Sequence, residues 1–137
     1  MAEPAFAGLI DLRKPLGLLL TGVLQFVDDE TDPWQLVTRY RAAMAPGSYI
    51  AISHCTADRL PPAAVQAIHD AYARTPFPMH LRTRAEVERL FEGFTLVSPF
   101  AGAEPGLTFV GNCGAEDERA VDSDGSRILY CGVARRP

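Results

Sequence analysis

The sequence has few of the features that announce a function. Its three cysteines, Cys55, Cys113 and Cys131, are an odd number at wide spacing without a CxxC pair. That argues against a zinc site or a redox motif and leaves three reduced thiols, two of them in strands. G-x-G-x-x-G, P-loop, H-E-x-x-H and G-x-S-x-G motifs are all missing, so no metal ligand set and no catalytic residue can be named. Basic charge is scarce: 13 Lys and Arg against 17 Asp and Glu give a net charge of -4 and a pI near 5.3. A nucleic-acid grip would need a basic face, and an acidic chain gives no support for binding anionic membranes. No apolar run reaches the roughly 18 residues of a membrane span. The longest, 16–27, is interrupted by Gly17, Thr21, Gly22 and Gln25. The N-terminal MAEPAFAG has no basic segment of the kind that opens a signal peptide. These absences lead us to expect a soluble cytoplasmic protein.

What is present is an ordinary globular composition, 47% hydrophobic and 22% charged over 137 residues, enough for one modest domain. The run LGLLLTGVLQFV reads as a strand over about 16–21. It does not alternate, which suits a strand covered on both faces in a parallel sheet. A core helix is the competing reading, disfavoured by Pro15, Gly17 and Gly22. After the acidic turn Asp28-Asp29-Glu30, Asp32 can cap a helix and Pro33 suits its first turn. Leu36, Val37, Tyr40 and Met44 recur at helical spacing, and Pro46-Gly47 ends the helix. SYIAISH, 48–54, alternates and reads as a second strand.

A second helix is expected from about Pro62 to Arg74, with Val65, Ile68, Ala71 and Tyr72 on its apolar face. Thr83 and Glu86 have the spacing of a capping box, and Gly93 closes the helix that follows. Residues 94–97 form a short strand and 128–134 a last one. Between them 101–127 is a long irregular segment, rich in Gly, Pro and acidic residues, with room for a strand near 107–110. The order β-α-β-α-α-β-loop-β predicts an α/β fold on a parallel sheet, with the last strand antiparallel because its connection is not helical.

Ligands of open α/β sheets bind beyond the carboxyl ends of strands. That rule singles out Thr21, Gly22, Val23, Leu24, Gln25 and Phe26 after the first strand. Gly22 permits a close backbone approach, and Gln25 can hydrogen-bond an adenine or a substrate. The plain alternative is a strand-to-helix loop with Phe26 in the core. His54, at the end of the second strand, is a candidate base or donor to substrate, or else a capped or solvated loop residue. Asp58 can orient His54 or cap the next helix. His69, His80, the acidic turn, Arg135 and Arg136 read as solvated, and Trp34 as packing over its own helix turn.

The blocks DLRKPLGLLLTGVLQFVDD, DPWQLVTRYRAAMAPGSYIAISHCTAD, RTRAEVERLFEGFTLVSPF and YCGVARRP, in that order, resemble one family. It is the actinobacterial S-adenosylmethionine-dependent methyltransferase family once described only as a domain of unknown function. The resemblance covers most of 9–100 and 128–137. It implies a partial Rossmann-like class I methyltransferase sheet, in which 16–21, 48–54, 94–98 and 128–134 are strands 4, 5, 6 and 7. Those strands lie in the order 4-5-7-6 with the last antiparallel. It also implies S-adenosylmethionine as cofactor, with any contact falling on Thr21 to Phe26; it carries over no catalytic residue, and His54 and Asp58 stand as substrate-binding candidates on their position alone. Two departures stand out. Gln25 occupies a position where the family usually has His, and the Trp-Arg-Pro stretch after strand 6 is replaced by AGAEPGLTFVGNCGAEDERAVDSDGSR.

The glycine-rich cofactor loop and the acidic ribose ligand of that family precede strand 4. The expectation is therefore a single domain over 1–137 equivalent to the family's C-terminal half, with the cofactor-binding half absent. Strand 16–21 would then have a bare edge, a hazard that invites a homodimer or a partner chain that completes the sheet. The functional expectation is an S-adenosylmethionine-dependent methyltransferase whose methyl acceptor the sequence does not name, a small molecule being one candidate, with weak or no activity in the isolated chain. The alternatives are a catalytically silent dimerisation or interaction module derived from one, and an unrelated small α/β binding domain.

Overall fold

The computed structural model describes residues 9–114 and 124–137. Along the chain run β1 (Gly17–Thr21), a single 3-10 turn (Leu24–Phe26), α1 (Pro33–Ala43), β2 (Tyr49–Cys55), α2 (Pro62–Tyr72), α3 (Arg84–Arg89), β3 (Thr95–Leu96), β4 (Thr108–Phe109) and β5 (Leu129–Arg135). Further 3-10 turns at Val110–Asn112 and Asp124–Ile128 lead into the last strand.

β1 and β2 pair in parallel, from Gly17 opposite Tyr49 to Thr21 opposite Ser53. A parallel pair needs a crossover, and α1 supplies it. β5 lies antiparallel on the other edge of β2, and β3 and β4 both pair antiparallel with β5. The sheet order is β1-β2-β5-β3, with β4 beside β5, so the last strand in sequence lies between β2 and β3. This is the mixed α/β sheet and the strand order that the sequence led us to expect.

Local chemistry explains the helix starts. The Asp32 carboxylate accepts from Gln35 N at 2.9 Å and Pro33 occupies the first turn of α1. Asp32 itself has φ 57°, a left-handed conformation that aspartate tolerates better than most residues. Thr83 and Glu86 form the reciprocal capping box of α3, with Thr83 N donating to Glu86 Oε2 at 2.7 Å. Gly47, at φ 84°, makes the tight reversal from α1 into β2.

Strand alternation sends Leu18, Leu20, Ile50, Ile52, His54, Tyr130, Gly132 and Ala134 to one face, as the register shows. Ile50, Ile52, Tyr130 and Ala134 join Val37 and Met44 from α1 and its end, Val87, Leu90 and Phe91 from α3 and its end, and Leu107 in one core. On the other face Leu19 is 70% exposed and Tyr49 44%.

The expectation that β1 is covered on both faces is therefore corrected. Leu18 and Leu20 are half-buried while Gly17, Leu19 and Thr21 are exposed, because at β1 the main core cluster gathers on one side of the sheet. β1 is also the outermost strand, and among the described residues its second edge has no partner. α2 buries none of its residues, so its apolar stripe of Val65, Ile68 and Tyr72 is only half-covered. The long segment after β3 is less irregular than expected where it is described, since it contains β4 and the turn Val110–Asn112. Its residues 115–123 lie outside the described residues.

Candidate functional site

Because β1 and β2 are parallel and adjacent, their carboxyl ends open on the same side of the sheet. Three segments meet there: the loop after β1, the end of β2, and residues 79–82 ahead of α3. Gly22 N donates to Ser53 O at 3.2 Å, which carries the β1–β2 ladder one step past the strand, and φ 66° at Gly22 turns the chain. Leu24 and Gln25 then bury themselves at 1% and 6% exposure. The Gln25 side-chain oxygen accepts from Cys55 N at 3.3 Å, and its backbone oxygen accepts from His80 N at 2.7 Å. Thr21 and Val23 remain exposed, and Phe26 is half-buried, its ring 5.8 Å from that of Tyr72.

His54 is fully buried. Its Nδ1 lies 2.8 Å from Cys55 O and its Nε2 lies 2.8 Å from Arg82 Nη1. A carbonyl only accepts and a guanidinium only donates, which fixes the tautomer: Nδ1 carries the proton and Nε2 accepts. Burial, reinforced by the Arg82 charge against the bond to Cys55, pushes the His54 pKa down to about 4. At neutral pH this is an uncharged ring with both nitrogens engaged.

Arg82 is the residue that sequence reasoning missed. It is 3% exposed. Nη1 donates to Leu24 O at 3.0 Å as well as to His54, and Nη2 donates to Val27 O at 2.7 Å and to the Asp29 carboxylate at 2.7 Å. Two hydrogens on each terminal nitrogen match these four acceptors. The guanidinium also lies 5.2 Å from the centre of the Trp34 ring, whose Nε1 donates to Glu86 O at 2.9 Å. Asp29, expected as part of a solvated turn, is exposed yet serves as the counter-ion of this buried cation.

Asp58 does not reach His54. Its Oδ2 accepts from Arg84 N at 2.9 Å and from the Tyr130 hydroxyl at 2.9 Å. It therefore caps α3, and not the helix that follows it in sequence.

Two apolar cavities adjoin this end of the sheet. One of about 190 Å³ lies between α2 and the end of β2, lined by Cys55, Thr56, Ile68, Tyr72, Met79, Leu81 and Ile128. The other, about 310 Å³, is lined by Phe26, Tyr72, Thr75 and Phe77. Neither lining contains a charged side chain, and burial raises the Cys55 thiol pKa. Cys131 is pushed up to about 12 by burial and then by its hydrogen bond with Cys113. Among the described residues no three His, Cys, Asp or Glu side chains gather as a metal site, and no helix is long and apolar enough to cross a membrane.

The fit to a nucleoside cofactor is one-sided. The exposed Val23 and half-buried Phe26 offer apolar surface, and Thr21 and Gly22 offer a hydroxyl and an unobstructed backbone, since a Cβ on Gly22 would meet only Gln25 Nε2, at 3.9 Å. These groups suit one flank of an adenosine-like ligand. The chain has no G-x-G-x-x-G loop to hold the other.

Comparison with known proteins follows the same lines. A family model described as S-adenosyl methyltransferase matches residues 1–137. A DUF574 family protein from Streptomyces avermitilis shares 35% identity and a TM-score of 0.78, over 93% of this chain and 47% of its own. A protein from Thermobifida fusca, solved as a candidate methyltransferase, shares 26% identity and a TM-score of 0.80, over 98% of this chain and 48% of its own. An S-adenosylmethionine-dependent methyltransferase from Methanosarcina mazei, 14% identical with a TM-score of 0.60, shares the fold. The chain thus spans about half the length of the first two relatives. No curated protein matches it.

Proposed function

The chain belongs to the S-adenosyl methyltransferase family, and from that membership we propose that it supplies one half of a methyl-transfer site. The loop Thr21, Gly22, Val23, Leu24, Gln25 and Phe26 forms one flank of the S-adenosylmethionine pocket. The cofactor, when bound, provides a methyl group on a sulfonium. What these residues provide is orientation, a fixed apolar and hydroxyl-bearing surface against which cofactor and acceptor are held. The observation that carries the reading is the position of this loop, pinned beyond the carboxyl end of a parallel strand pair.

The acceptor in this reading is a small uncharged molecule, in keeping with the two apolar cavities that share Tyr72 beside Phe26. His54 and Asp58 serve that side indirectly, through Arg82 and the α3 cap, and do not touch substrate. The setting we propose is the cytoplasm, where the cofactor is available. The open edge of β1 is covered by strands of the remaining fold, on the same or a separate polypeptide. A second copy of this chain is the other candidate for that role.

The test is calorimetry with S-adenosylmethionine on two proteins. One is this chain; the other joins it to the part of the Streptomyces avermitilis relative that it does not cover. The joined protein is expected to bind one equivalent, and the chain alone weakly or not at all. A cooperatively folded joined protein that binds no cofactor would overturn the reading. A stable homodimer of the chain, without binding in either form, would favour a silent dimerisation module.

A further inference from the structure

We infer that Arg82 is the positioning residue of the candidate cofactor loop, and that it sets cofactor affinity without touching the ligand. The inference rests on the methyltransferase reading above and adds to it a residue that neither the loop sequence nor the family resemblance singles out.

The geometry is specific. The six candidate residues are held through Gly22 N on Ser53 O and through Leu24 O on Arg82, which also takes Val27 O just beyond the loop. Gln25 is held by Cys55 N and by His80 N; among the described residues, Arg82 is the one side chain that grips carbonyls on both sides of it. The Arg82 backbone is itself anchored, since its N–H donates to Cys55 O at 3.1 Å. The guanidinium therefore does not follow the loop; the loop follows the guanidinium. Planarity matters here, because the fork reaches carbonyls three residues apart with one rigid group, and a lysine ammonium has no such fork.

His54 completes the arrangement. As a neutral acceptor it takes one Nη1 hydrogen and leaves the other for Leu24 O, so it orients the fork. The two arms differ in access: the inner one ends on buried His54, and the outer one ends on Asp29, whose side chain is 71% exposed. With Leu24 and Gln25 drawn inward, Thr21 and Val23 are the groups left facing solvent at the open end of the sheet.

The test compares Arg82→Lys and Arg82→Gln with Arg89→Gln. Arg89 also lies over Trp34, at 4.5 Å, and is exposed, so it reports on loss of a cation at the ring alone. Two readouts are needed. In the chain itself, hydrogen exchange at the amides of Phe26 and Val27 should accelerate at least about tenfold in both Arg82 variants and stay unchanged in Arg89→Gln, as expected for a local opening that leaves the core intact. In the joined protein, S-adenosylmethionine affinity should fall on the order of tenfold to a hundredfold, the scale of a misplaced binding group. Millimolar guanidinium should restore affinity to an Arg82→Ala variant.

Unchanged exchange at residues 26 and 27 would overturn the inference whatever the protein binds. Faster exchange with unaltered affinity would overturn it while leaving the methyltransferase reading intact. Failure of the unmutated joined protein to bind would instead overturn that reading, and the positioning role with it.

Discussion

The two faces of the sheet are made from the same strands and end in opposite conditions. On β2, Ile50 and Ile52 are fully buried, while their neighbour Tyr49 is 44% exposed. On β1, Leu18 and Leu20 pack against the core, while Leu19 between them is 70% exposed. Intrinsic preference does not separate Leu18 from Leu19. What separates them is cover: the helix residues of the core, Val37 and Val87, belong to one side. The covered face holds the fold together, and the other face is closed only at its carboxyl end, where Ser53 and Cys55 are buried, leaving Leu19 and Tyr49 as exposed apolar surface.

The sharpest way to break this comparison is to damage the covered face. Ile52→Ala removes a fully buried side chain at the centre of β2. Large-to-small changes at such sites cost about 2–5 kcal/mol through lost transfer energy and the cavity left behind. Urea denaturation should show a lower midpoint by that amount, with the slope unchanged. A loss below about 1 kcal/mol would mean that the two faces are less different than their exposure indicates.

The covered face also carries a titration. His54 lies on it with a folded pKa near 4, against 6.5 for a free side chain. Between those values the unfolded chain binds a proton that the folded one refuses, so stability is complete above pH 6.5 and falls as pH drops toward 4. From pH 7 to pH 5 the loss should be about 2 kcal/mol. Denaturation midpoints measured across that window would show the slope, and His54→Gln should flatten it even if the variant is less stable throughout. A penalty of similar size is expected from Gly132→Ala, whose new Cβ would lie 2.5 Å from Leu107 Cδ2 and 2.8 Å from Phe91 Cζ. Both side chains are buried, so overpacking should cost about 1–3 kcal/mol, read as a lower thermal midpoint.

How legible the molecule was in its sequence depended on the range of the interaction. The start of α1 and the capping box of α3 were readable because Asp32-Pro33 and Thr83-x-x-Glu86 act within one turn. The place of the last strand beside β2 followed from a non-helical connection and the family resemblance. Arg82 was invisible, because a charged residue just ahead of an N-cap reads as solvated by default. Its partners lie 28 to 58 residues away. Asp58 was read as a cap, but its helix is 26 residues on, and not the next in sequence. The loop at 21–26 was found by a positional rule, yet that rule could not say that Leu24 and Gln25 would turn inward while Thr21 and Val23 stayed out.

The smallest effect tests the open face itself. Leu19 makes little use of the core, so Leu19→Ala in the isolated chain should shift stability by less than about 0.5 kcal/mol, as surface substitutions usually do. The same residue sits at the centre of a strand whose outer edge has no partner among the described residues, the place where another strand would add. If the edge is covered by a second copy, light scattering across a concentration series should show a dimer that weakens in Leu19→Lys while the monomer keeps its fold. If it is covered by the rest of a longer fold, the chain should stay monomeric, and Leu19→Lys should cost nothing alone but about 1–3 kcal/mol in the joined protein, where a charge would be buried without a partner. Should Leu19→Ala alone prove as damaging as Ile52→Ala, the open face would have to be covered already by part of this chain.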